Sequence, residues 1–574
     1  MPRTAMKMTY LERWAIYAII AIYTALNVPL LVAKVGTCQQ IGVFSIDEET
    51  LCKTARNMVA SGSFTSADVN PYPYGQLYPV LIGAPLLLLK AVTNCSETMA
   101  IRWAVVLLIL SGATVLAMTY RVCARLYPWP YAPLAATLLL TVPEFWRWSN
   151  EIHPDLPQLA FLMMGFYFSV RLYETPLPAA RQRLKHLSLA SLCAGLAMAT
   201  KFNGVFLLPV ILVAYNRPFA LGWQTLRVRD VVIENVKCGV LCAMLFATAF
   251  FFFNPYFVFN HGAVSEPFVR AAGFARGEAV GYSIAERLVN ILYSNYNMAS
   301  LVVGGVYVVC VCGVLYGLGS LLLRYAKEIR APKILSEVFV VVFLAYSLGV
   351  GYGLVNGKLL RGYERYLLPA VPLLFISAMR IVSLMVSTDR LPSIASIGLV
   401  ASLVLVGQNG LMHRCYGEYV NRYLQKEAGN FKVYEWVQKN VPDRSLIYTE
   451  NYIYVPGSEE PCKPRHGTSP CYQIVRDYAV RSEWVMRLSD YVITKTLRYS
   501  IYSDPERWQH YGDVSMRKSR LLYRSLERDA LPGFKRVAVL GRGGEDLVAV
   551  YKNVGRHRPL QPEARAYIAN AVNH

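Results

Sequence analysis

Charged residues are scarce in this sequence. Lys, Arg, Asp and Glu make up 17% of its 574 residues, whereas apolar residues make up 55%. A soluble domain carries about 25% charge, so this composition excludes an ordinary soluble globular chain. Long apolar stretches such as Trp14–Val35, and Leu241–Phe253 with its flanks, suit membrane spans of about 20 residues. The sequence therefore predicts a polytopic α-helical membrane protein.

Acidic residues are especially few, with 37 Asp and Glu against 58 Lys and Arg, a net charge of +21. No nucleic-acid-binding motif accompanies this excess, so we expect no nucleic-acid partner. The basic residues instead recur between apolar segments, as in cytoplasmic loops that also face anionic membrane lipids. These clusters are Arg3/Lys7/Arg13, Arg121/Arg125, Arg181/Arg183/Lys185, Arg227/Arg229, Arg324/Lys327/Arg330/Lys333, and Arg380 with Arg390.

Placing every basic cluster inside predicts which segments face outward. The segment Leu77–Val92 is interrupted by Pro79 and Pro85, so we interpret it as re-entrant or interfacial. About eleven spans remain, counting Ala194–Tyr215 as two short helices around an outward Thr200–Gly204 turn. The outward segments are residues 36–100, the Trp148–Asp155 turn, the region around Lys201, residues 259–297, Asn356–Arg365 and the tail from residue 412.

The tail differs in character from the rest of the chain, because its apolar runs are short and its charge is higher. The predicted organisation is a transmembrane domain over residues 1–411, with a first outer loop at 36–100, and an extracytoplasmic α/β domain over 412–574. Period-3.6 and period-2 patterns predict the elements of the tail. They are a helix at Phe431–Asn440 and strands at Ser445–Thr449, Tyr491–Thr494, Arg536–Leu540 and Leu547–Tyr551.

Several other signals are missing. The first apolar segment lacks a small-residue cleavage site, so it is interpreted as a span. Internal repeats, low-complexity tracts and zinc-type cysteine spacings are also lacking. Cys38 with Cys52, and Cys462 with Cys471, bracket outer loops, and each pair is either a disulfide or two thiols.

An acidic stretch, Phe44–Glu49, follows the first span. Ser45 and Glu48 have the spacing of a capping box, which predicts a helix start with Asp47 in its first turn. Acids at this position also complement the helix dipole without any catalytic role. The spacing alone therefore does not decide whether these acids have a catalytic role or only stabilise the start of the helix.

This stretch resembles the first-loop signature of the GT-C glycosyltransferases, in particular the aminoarabinose transferases of lipid A and the protein O-mannosyltransferases. The resemblance implies an inverting transfer from a polyprenyl-phosphate sugar, with Asp47 as general base and Glu48 beside it as a second catalytic residue. A carboxylate suits the role because it can accept the proton of the acceptor hydroxyl. The matching residues are Asp47-Glu48, Ala55-Arg56, Met58 and Ser61-Gly62.

Three later stretches resemble the same family in the same order: Glu151–Asp155, Thr200–Gly204 and Tyr363–Pro369. The resemblance covers about residues 40–370 and implies a GT-C-like fold. It makes Asp155 and His153 a second acidic site that binds acceptor or metal, although both could simply cap the helix after Pro154.

The resemblance also implies cations that stabilise the phosphate leaving group, and Lys201, Arg365 and Arg361 are the candidates. Each could instead be an interfacial cation whose charged end reaches the headgroups. In the aminoarabinose branch a Lys-Pro-Pro element holds the phosphate, whereas this chain has Pro73–Pro79, which lacks that lysine. Some family members use a divalent cation, Mg²⁺ or Mn²⁺, and Asp47 with Asp155 is the pair to test for it.

The prediction is an inverting glycosyltransferase that moves a sugar from a polyprenyl-phosphate carrier to a lipid, glycan or protein acceptor. We expect it in a bacterial inner membrane with its catalytic face outside the cytoplasm, and the sequence does not predict an oligomeric state. The main alternative is a transporter or flippase of a lipid-linked substrate. Transporters place charges within their spans and often have two related halves, whereas here the informative charges gather at one face.

Overall fold

The computed structural model describes nineteen parts of the chain. The chain divides into two compact units, one formed by residues 1–31 and 51–417 and the other by residues 32–50 and 418–574. The described residues are 10–41, 46–62, 75–90, 97–140, 142–221, 228–259, 313–316, 319, 331–349, 368–387, 429–450, 453, 455, 472–477, 483–495, 522–526, 528–529, 531–540 and 547–555.

Helices account for nearly all of the described residues before 388. A short 3₁₀ helix, Phe202–Phe206, separates α8 from α9. The helices are α1 Tyr10–Ile41, α2 Ile46–Ser61, α3 Leu77–Lys90, α4 Glu97–Leu126, α5 Tyr131–Leu140, α6 Pro143–Asn150, α7 Asp155–Glu174, α8 Ala180–Thr200, α9 Leu207–Leu221, α10 Val228–Phe253, α11 Tyr256–Phe259, α12 Ile334–Gly349 and α13 Val371–Ser387.

Helix α7 is central in this bundle and packs against α4, α8 and α9, while α8 also packs against α10. Glycines allow the close approach. A Cβ at Gly165 of α7 would lie 2.3 Å from Leu207 Cδ2, and one at Gly195 of α8 would lie 2.5 Å from the Phe246 carbonyl oxygen. Small residues at helix interfaces are typical of membrane bundles, where packing rather than water exclusion drives association.

Two described helical stretches, Met99–Leu126 and Val232–Phe253, are long and apolar enough to span a membrane. The predicted total of about eleven spans stays a prediction. The turn predicted at Thr200–Gly204 is confirmed, because α8 ends at Thr200 and the 3₁₀ helix follows. The helix before the turn is longer than predicted, since α8 begins at Ala180.

The prolines do not break α3, although the sequence predicted an interruption at Pro79 and Pro85. The helix runs from Leu77 to Lys90 with Pro85 inside it. Pro85 has no N–H to donate to the Leu81 carbonyl one turn earlier. The indole Nε1–H of Trp103 in α4 donates to that carbonyl instead, at 2.9 Å. The neighbouring helix α4 thus supplies the missing hydrogen bond. The re-entrant or interfacial position of this segment in the membrane stays a prediction.

The second unit contains a five-stranded sheet of order β2-β1-β3-β5-β4. Strand β1 pairs in parallel with β2 and β3, whereas β5 pairs antiparallel with β3 and β4. The described helices of this unit include α14 Gly429–Asn440 and α15 Glu483–Leu488. The strands are β1 Leu446–Glu450, β2 Gln473–Asp477, β3 Tyr491–Lys495, β4 Phe534–Leu540 and β5 Val548–Asn553.

Separate hydrophobic cores cover the two faces of this sheet. One contains Val433 and Val437 of α14 with Ile447 of β1, and the other contains Val485 and Met486 of α15. The predicted helix and four strands of the tail are confirmed in position. Strand β2 was missed, because polar residues occupy three of its five positions and hide the alternation.

Candidate functional site

The loop between α6 and α7 brings an acid and a histidine into the bundle. Helix α6 ends at Asn150, and Glu151 continues in an extended conformation with φ −93° and ψ 128°. Asp155 is then the first residue of α7. An acid suits this position because the N-terminus of a helix carries partial positive charge.

Asp155, His153 and Lys201 form a buried cluster. The ammonium Nζ of Lys201 contacts Asp155 Oδ1, and Nδ1 of His153 contacts Asp155 Oδ2. Only 2% of His153, 3% of Asp155 and 5% of Lys201 is exposed. A buried carboxylate is tolerated only when paired, so Lys201 compensates a charge that would otherwise exclude Asp155 from this interior.

Lys201 reaches Asp155 because α8 stops abruptly at this point. Lys201 leaves the helix with φ −158° and ψ 136°, while its N–H still donates to the Ala197 carbonyl at 2.9 Å. The Gly204 N–H donates to the Lys201 carbonyl at 3.1 Å and closes the turn. A Cβ at Gly204 would lie 2.2 Å from the Met198 nitrogen, so the turn requires glycine.

Gln158, one turn after Asp155 on α7, binds the same turn from its other side. Its amide Nε2 donates to the Lys201 carbonyl at 2.7 Å and also contacts Asn203 Oδ1. Gln158 is fully buried. Since Nε2 lies between two oxygen acceptors, this orientation of the amide is the one that chemistry allows. Helix α7 therefore binds Lys201 through both its side chain and its main chain.

Aromatic and charged groups enclose the histidine. The Trp148 ring lies 4.9 Å from the His153 ring, at an interplanar angle of 53°. The guanidinium of Arg147 lies 4.9 Å from the Trp148 ring centre, and Arg147 Nε pairs with Glu151 Oε1 at 3.3 Å. His153 is thus fixed between a carboxylate and an indole ring.

A polar contact joins α1 to α6 close to this loop. The Tyr23 hydroxyl donates to Ser149 Oγ at 2.9 Å, and Asn150 Nδ2 donates to Asn27 Oδ1 at 3.2 Å. All four residues are buried. The contacts fix the end of α6, from which the loop to Asp155 departs.

The segment that precedes α3 docks on the Lys201 turn. Gly75 N–H donates to the Thr200 carbonyl at 3.2 Å, and Gln76 N–H donates to Asn254 Oδ1 at 2.9 Å. A Cβ at Gly75 would lie 1.8 Å from the Ala199 carbonyl oxygen. Glycine is thus required in the stretch that lacks the lysine of the Lys-Pro-Pro element.

The donor set around Asp155 does not suit a divalent cation. Mg²⁺ and Mn²⁺ prefer several oxygen ligands in octahedral geometry. Here each carboxylate oxygen of Asp155 contacts a nitrogen of the chain, from Lys201 or from His153. Among the described residues, no group of three or more His, Cys, Asp or Glu side chains could hold a metal ion. The side chain of Asp47 lies outside the described residues, so a divalent cation between Asp47 and Asp155 stays a prediction.

Other predicted site residues are placed only in part. Asp47 and Glu48 lie in the first turn of α2, which begins at Ile46, and their side chains fall outside the described residues. Arg361 and Arg365 also lie outside them. The Leu368–Ala370 turn directly precedes α13, so the stretch that resembles the family does open a late helix.

The predicted cysteine pairs are not tested. Cys52 is buried in α2, and the side chain of Cys38 lies outside the described residues. Cys462 and Cys471 lie outside them as well.

Sequence reasoning did not single out Gln158, Asn203, Gln76 or Asn254. Their hydrogen bonds go to main-chain groups or to amides distant in sequence, for which no residue pattern gives a signal. A polar Gln158 within the apolar α7, three residues after Asp155, was the available indication.

Residues 86–252 match a family described as dolichyl-phosphate-mannose-protein mannosyltransferase. The match runs from α3 to α10 and includes His153, Asp155 and Lys201. No curated protein matches the chain significantly.

The solved structures that are similar to the chain include two with a bound polyprenyl or dolichol phosphate. ArnT from Cupriavidus metallidurans bound to undecaprenyl phosphate is 12% identical, with a TM-score of 0.49 over 95% of this chain and 99% of ArnT. The archaeal oligosaccharyltransferase AglB from Archaeoglobus fulgidus, in complex with an inhibitory peptide and a dolichol-phosphate, is 11% identical. Its TM-score is 0.46 over 87% of this chain and 72% of AglB.

Proposed function

We propose that the chain is a glycosyltransferase of the GT-C superfamily that transfers a sugar with inversion, and the family match over residues 86–252 supports this proposal. The donor is a polyprenyl phosphate-linked sugar, and the acceptor is a lipid, glycan or protein at the outer face of the membrane. The dolichyl phosphate in the description of the matched family supports this carrier class. The outer-face location is supported by the basic clusters, from which the sequence predicts that the α6–α7 loop and the Lys201 turn face outward.

The observation that carries the proposal is the buried Lys201–Asp155–His153 cluster. It lies inside the matched segment, where two helix ends meet. Ionisable groups buried among membrane helices are costly and typically mark functional sites. A low-dielectric environment also strengthens the effect of a fixed cation on a nearby anion.

The reaction assigns each group a role. Asp47 accepts the proton of the acceptor hydroxyl, and the acceptor oxygen forms its bond to the anomeric carbon. The bond between that carbon and the phosphate oxygen breaks, and the polyprenyl phosphate leaves with the electron pair. Lys201 and Arg365 stabilise the charge that develops on the phosphate. Glu48 supports Asp47 in accepting the proton, and Arg361 supports Lys201 and Arg365 in stabilising the charge on the phosphate.

Asp155 has a different role, because it contacts Lys201. Its carboxylate orients the ammonium, and His153 holds the second carboxylate oxygen. The acidic group that the family resemblance assigns to acceptor or metal binding therefore fixes the cation in this chain. Acceptor recognition by His153 stays part of the proposal.

Release of the carrier tests the proposal without knowledge of the acceptor. The purified protein is reconstituted in liposomes with polyprenyl-phosphate mannose, glucose or aminoarabinose, and membranes of the source cell provide acceptors. Mass spectrometry then follows free polyprenyl phosphate. We expect carrier release with at least one donor, and its loss in Asp47→Asn. Movement of intact donor across the bilayer without carrier release would instead favour the flippase.

Sidedness is tested with single cysteines in a cysteine-depleted background. Ser61 and Gln182 are both exposed, at opposite ends of the predicted topology. A membrane-impermeant thiol reagent added to intact cells should label Ser61→Cys and not Gln182→Cys. The reverse labelling would place the Lys201 turn inside and overturn the outer-face location.

A further inference from the structure

Two residues in one turn of α7 hold Lys201, one through its ammonium and the other through its main-chain carbonyl. Asp155, at the start of α7, contacts the ammonium, and Gln158, three residues later, donates to the Lys201 carbonyl at 2.7 Å. Residues three apart on a helix lie on the same face. The side chain and the main chain of Lys201 therefore share one rigid support.

Only the amide nitrogen of Gln158 takes part in this arrangement. Nε2 contacts the Lys201 carbonyl and Asn203 Oδ1. The amide oxygen Oε1 has no hydrogen-bond partner within the part of the chain that the structure describes. Leaving a buried amide oxygen unpaired has a free-energy cost that an apolar side chain of similar volume would avoid. If Gln158 served only to fill space, an apolar side chain of the same volume would do so without this cost. The hydrogen bond from Nε2 to the Lys201 carbonyl is what such a side chain could not make.

The turn that carries Lys201 lies between two helices, and the Lys201 N–H still donates to the Ala197 carbonyl of α8. Lys201 is extended, and α8 ends immediately before it. The 3₁₀ helix that follows is five residues long, Phe202–Phe206, and has weaker hydrogen-bond geometry than an α-helix. Gln158 joins this turn to α7, which is twenty residues long. Gln158 thus adds a hydrogen bond from a long helix to the contacts that Gly75, Gly204 and Asp155 make with this turn.

We propose that Gln158 is a positioning residue, whose amide nitrogen holds the Thr200–Gly204 turn so that the Lys201 ammonium is fixed for the phosphate of the donor. The proposal rests on the proposed function, because it assigns Gln158 an effect that acts through Lys201. Gln158 itself does not contact the substrate. A displacement of about 1 Å in a catalytic group lowers the rate by about 10²-fold in other enzymes, so a single hydrogen bond to this turn is enough to matter.

The test is a double-mutant cycle on turnover with a polyprenyl-phosphate sugar donor. Gln158→Met keeps the volume and removes the donor, and Lys201→Met removes the cation. We expect Gln158→Met to lower kcat by about 10- to 100-fold with little change in the KM for the donor, because the interaction acts in the transition state. In the Lys201→Met background the same change should lower kcat no further. Equal losses in both backgrounds would overturn the positioning role.

Two controls separate positioning from folding. Ser169→Ala removes another buried side-chain hydrogen bond of α7, at 2.9 Å to the Gly165 carbonyl of the same helix, and should leave kcat unchanged. Turnover is calculated per mole of monodisperse protein, so that misfolded protein does not count. If Lys201→Met does not fold, Lys201→Gln takes its place. Gln158→Glu removes the donor and places an anion against two oxygen atoms, so it should reduce kcat at least as much as Gln158→Met.

The outcomes distinguish the two proposals. If Lys201→Met retains full turnover, the phosphate role of Lys201 fails, and with it the basis of the positioning role. If Lys201→Met loses turnover while Gln158→Met retains it, the proposed function stands and the positioning role of Gln158 is wrong. A Gln158→Met protein that loses stability but keeps kcat has the same meaning.

Discussion

Lys201 Nζ contacts Asp155 Oδ1, although the two residues are 46 positions apart in the sequence. Both side chains are buried, so neither charge is screened by water. The pair is neutral as a whole while each member alone is costly. This relationship decides what substitutions in the cluster should do.

Asp155→Asn should lower the free energy of unfolding by about 3–5 kcal/mol, because it leaves the Lys201 ammonium buried without its carboxylate. Lys201→Met should cost less, since His153 still contacts Asp155. The double variant Asp155→Asn/Lys201→Met should recover part of the loss, because no buried charge is left. Unfolding midpoints of the purified protein in detergent measure these effects, and strictly additive losses would contradict a coupled pair.

Gly75→Ala should both destabilise the protein and lower turnover. The new Cβ would lie 1.8 Å from the Ala199 carbonyl oxygen, and a main-chain atom cannot rotate away. The segment must then shift from the end of α8, at a cost of about 1–3 kcal/mol for overpacking. The shift would also stretch the Gly75–Thr200 hydrogen bond next to Lys201. The measurements are the unfolding midpoint and the rate of carrier release.

Gly239→Ala is the matched control for this change. A Cβ at Gly239, inside α10, meets no atom within 4 Å. Alanine in a helix interior is more favourable than glycine by about 0.5–1 kcal/mol, so the stability should stay the same or rise. If both glycine variants lose stability equally, steric contact at Gly75 is not the cause.

The family resemblance singled out His153, Asp155 and Lys201, and the structure brings these three residues together. His153 and Asp155 follow one another within three residues, and Lys201 lies in a short turn of recognisable composition. What the sequence did not predict is that Lys201 pairs with Asp155. Residue types specify which charges are present, whereas their pairing depends on how α7 packs against α8.

The supporting hydrogen bonds were beyond prediction for a related reason. Gln158 donates to a main-chain carbonyl 43 residues away, and every residue has such a carbonyl. In the tail, by contrast, strands such as β3 and β5 alternate or run apolar, and their positions were predicted closely. Strand β2 lacks that pattern and is fixed by pairing with β1, which is tertiary information.

Asp47→Asn should lower turnover by about 10²–10⁴-fold, the usual effect of removing a general base, while the affinity for the donor stays nearly the same. Asp47 lies in the first turn of α2, where an amide keeps the size of the side chain. Single-turnover rates and equilibrium binding of the lipid donor separate the two effects. Turnover close to that of the unchanged protein would contradict the role of general base.

Glu48→Gln differs from Asp47→Asn if Glu48 acts as the partner in a capping box with Ser45. Glutamine retains an oxygen that can accept the same main-chain hydrogen bond. The loss should then be at most about 1 kcal/mol in stability, with turnover largely retained. A loss of turnover as large as that of Asp47→Asn would give Glu48 a direct part in catalysis.

Arg365→Lys should weaken the use of the donor even though the charge is kept. A guanidinium can hold two phosphate oxygens at once through its planar fork, whereas the lysine ammonium is a single point of charge on a flexible chain. We expect kcat/KM for the lipid-linked donor to fall by an amount equivalent to about 1–3 kcal/mol, the scale of a charge-assisted hydrogen bond. Arg365→Ala should lower it further, and neither change should reduce the amount of folded protein.

Protein yield and donor kinetics together decide between the two interpretations of Arg365. If Arg365→Ala prevents folding at ordinary expression, the arginine is a structural anchor, paired with Glu364 or another acid. The phosphate role then rests on Lys201 alone. If Arg365→Ala folds and its kcat/KM falls more than that of Arg365→Lys, the bidentate contact with phosphate is supported, because loss of a structural anchor would lower the amount of folded protein rather than the use of the donor.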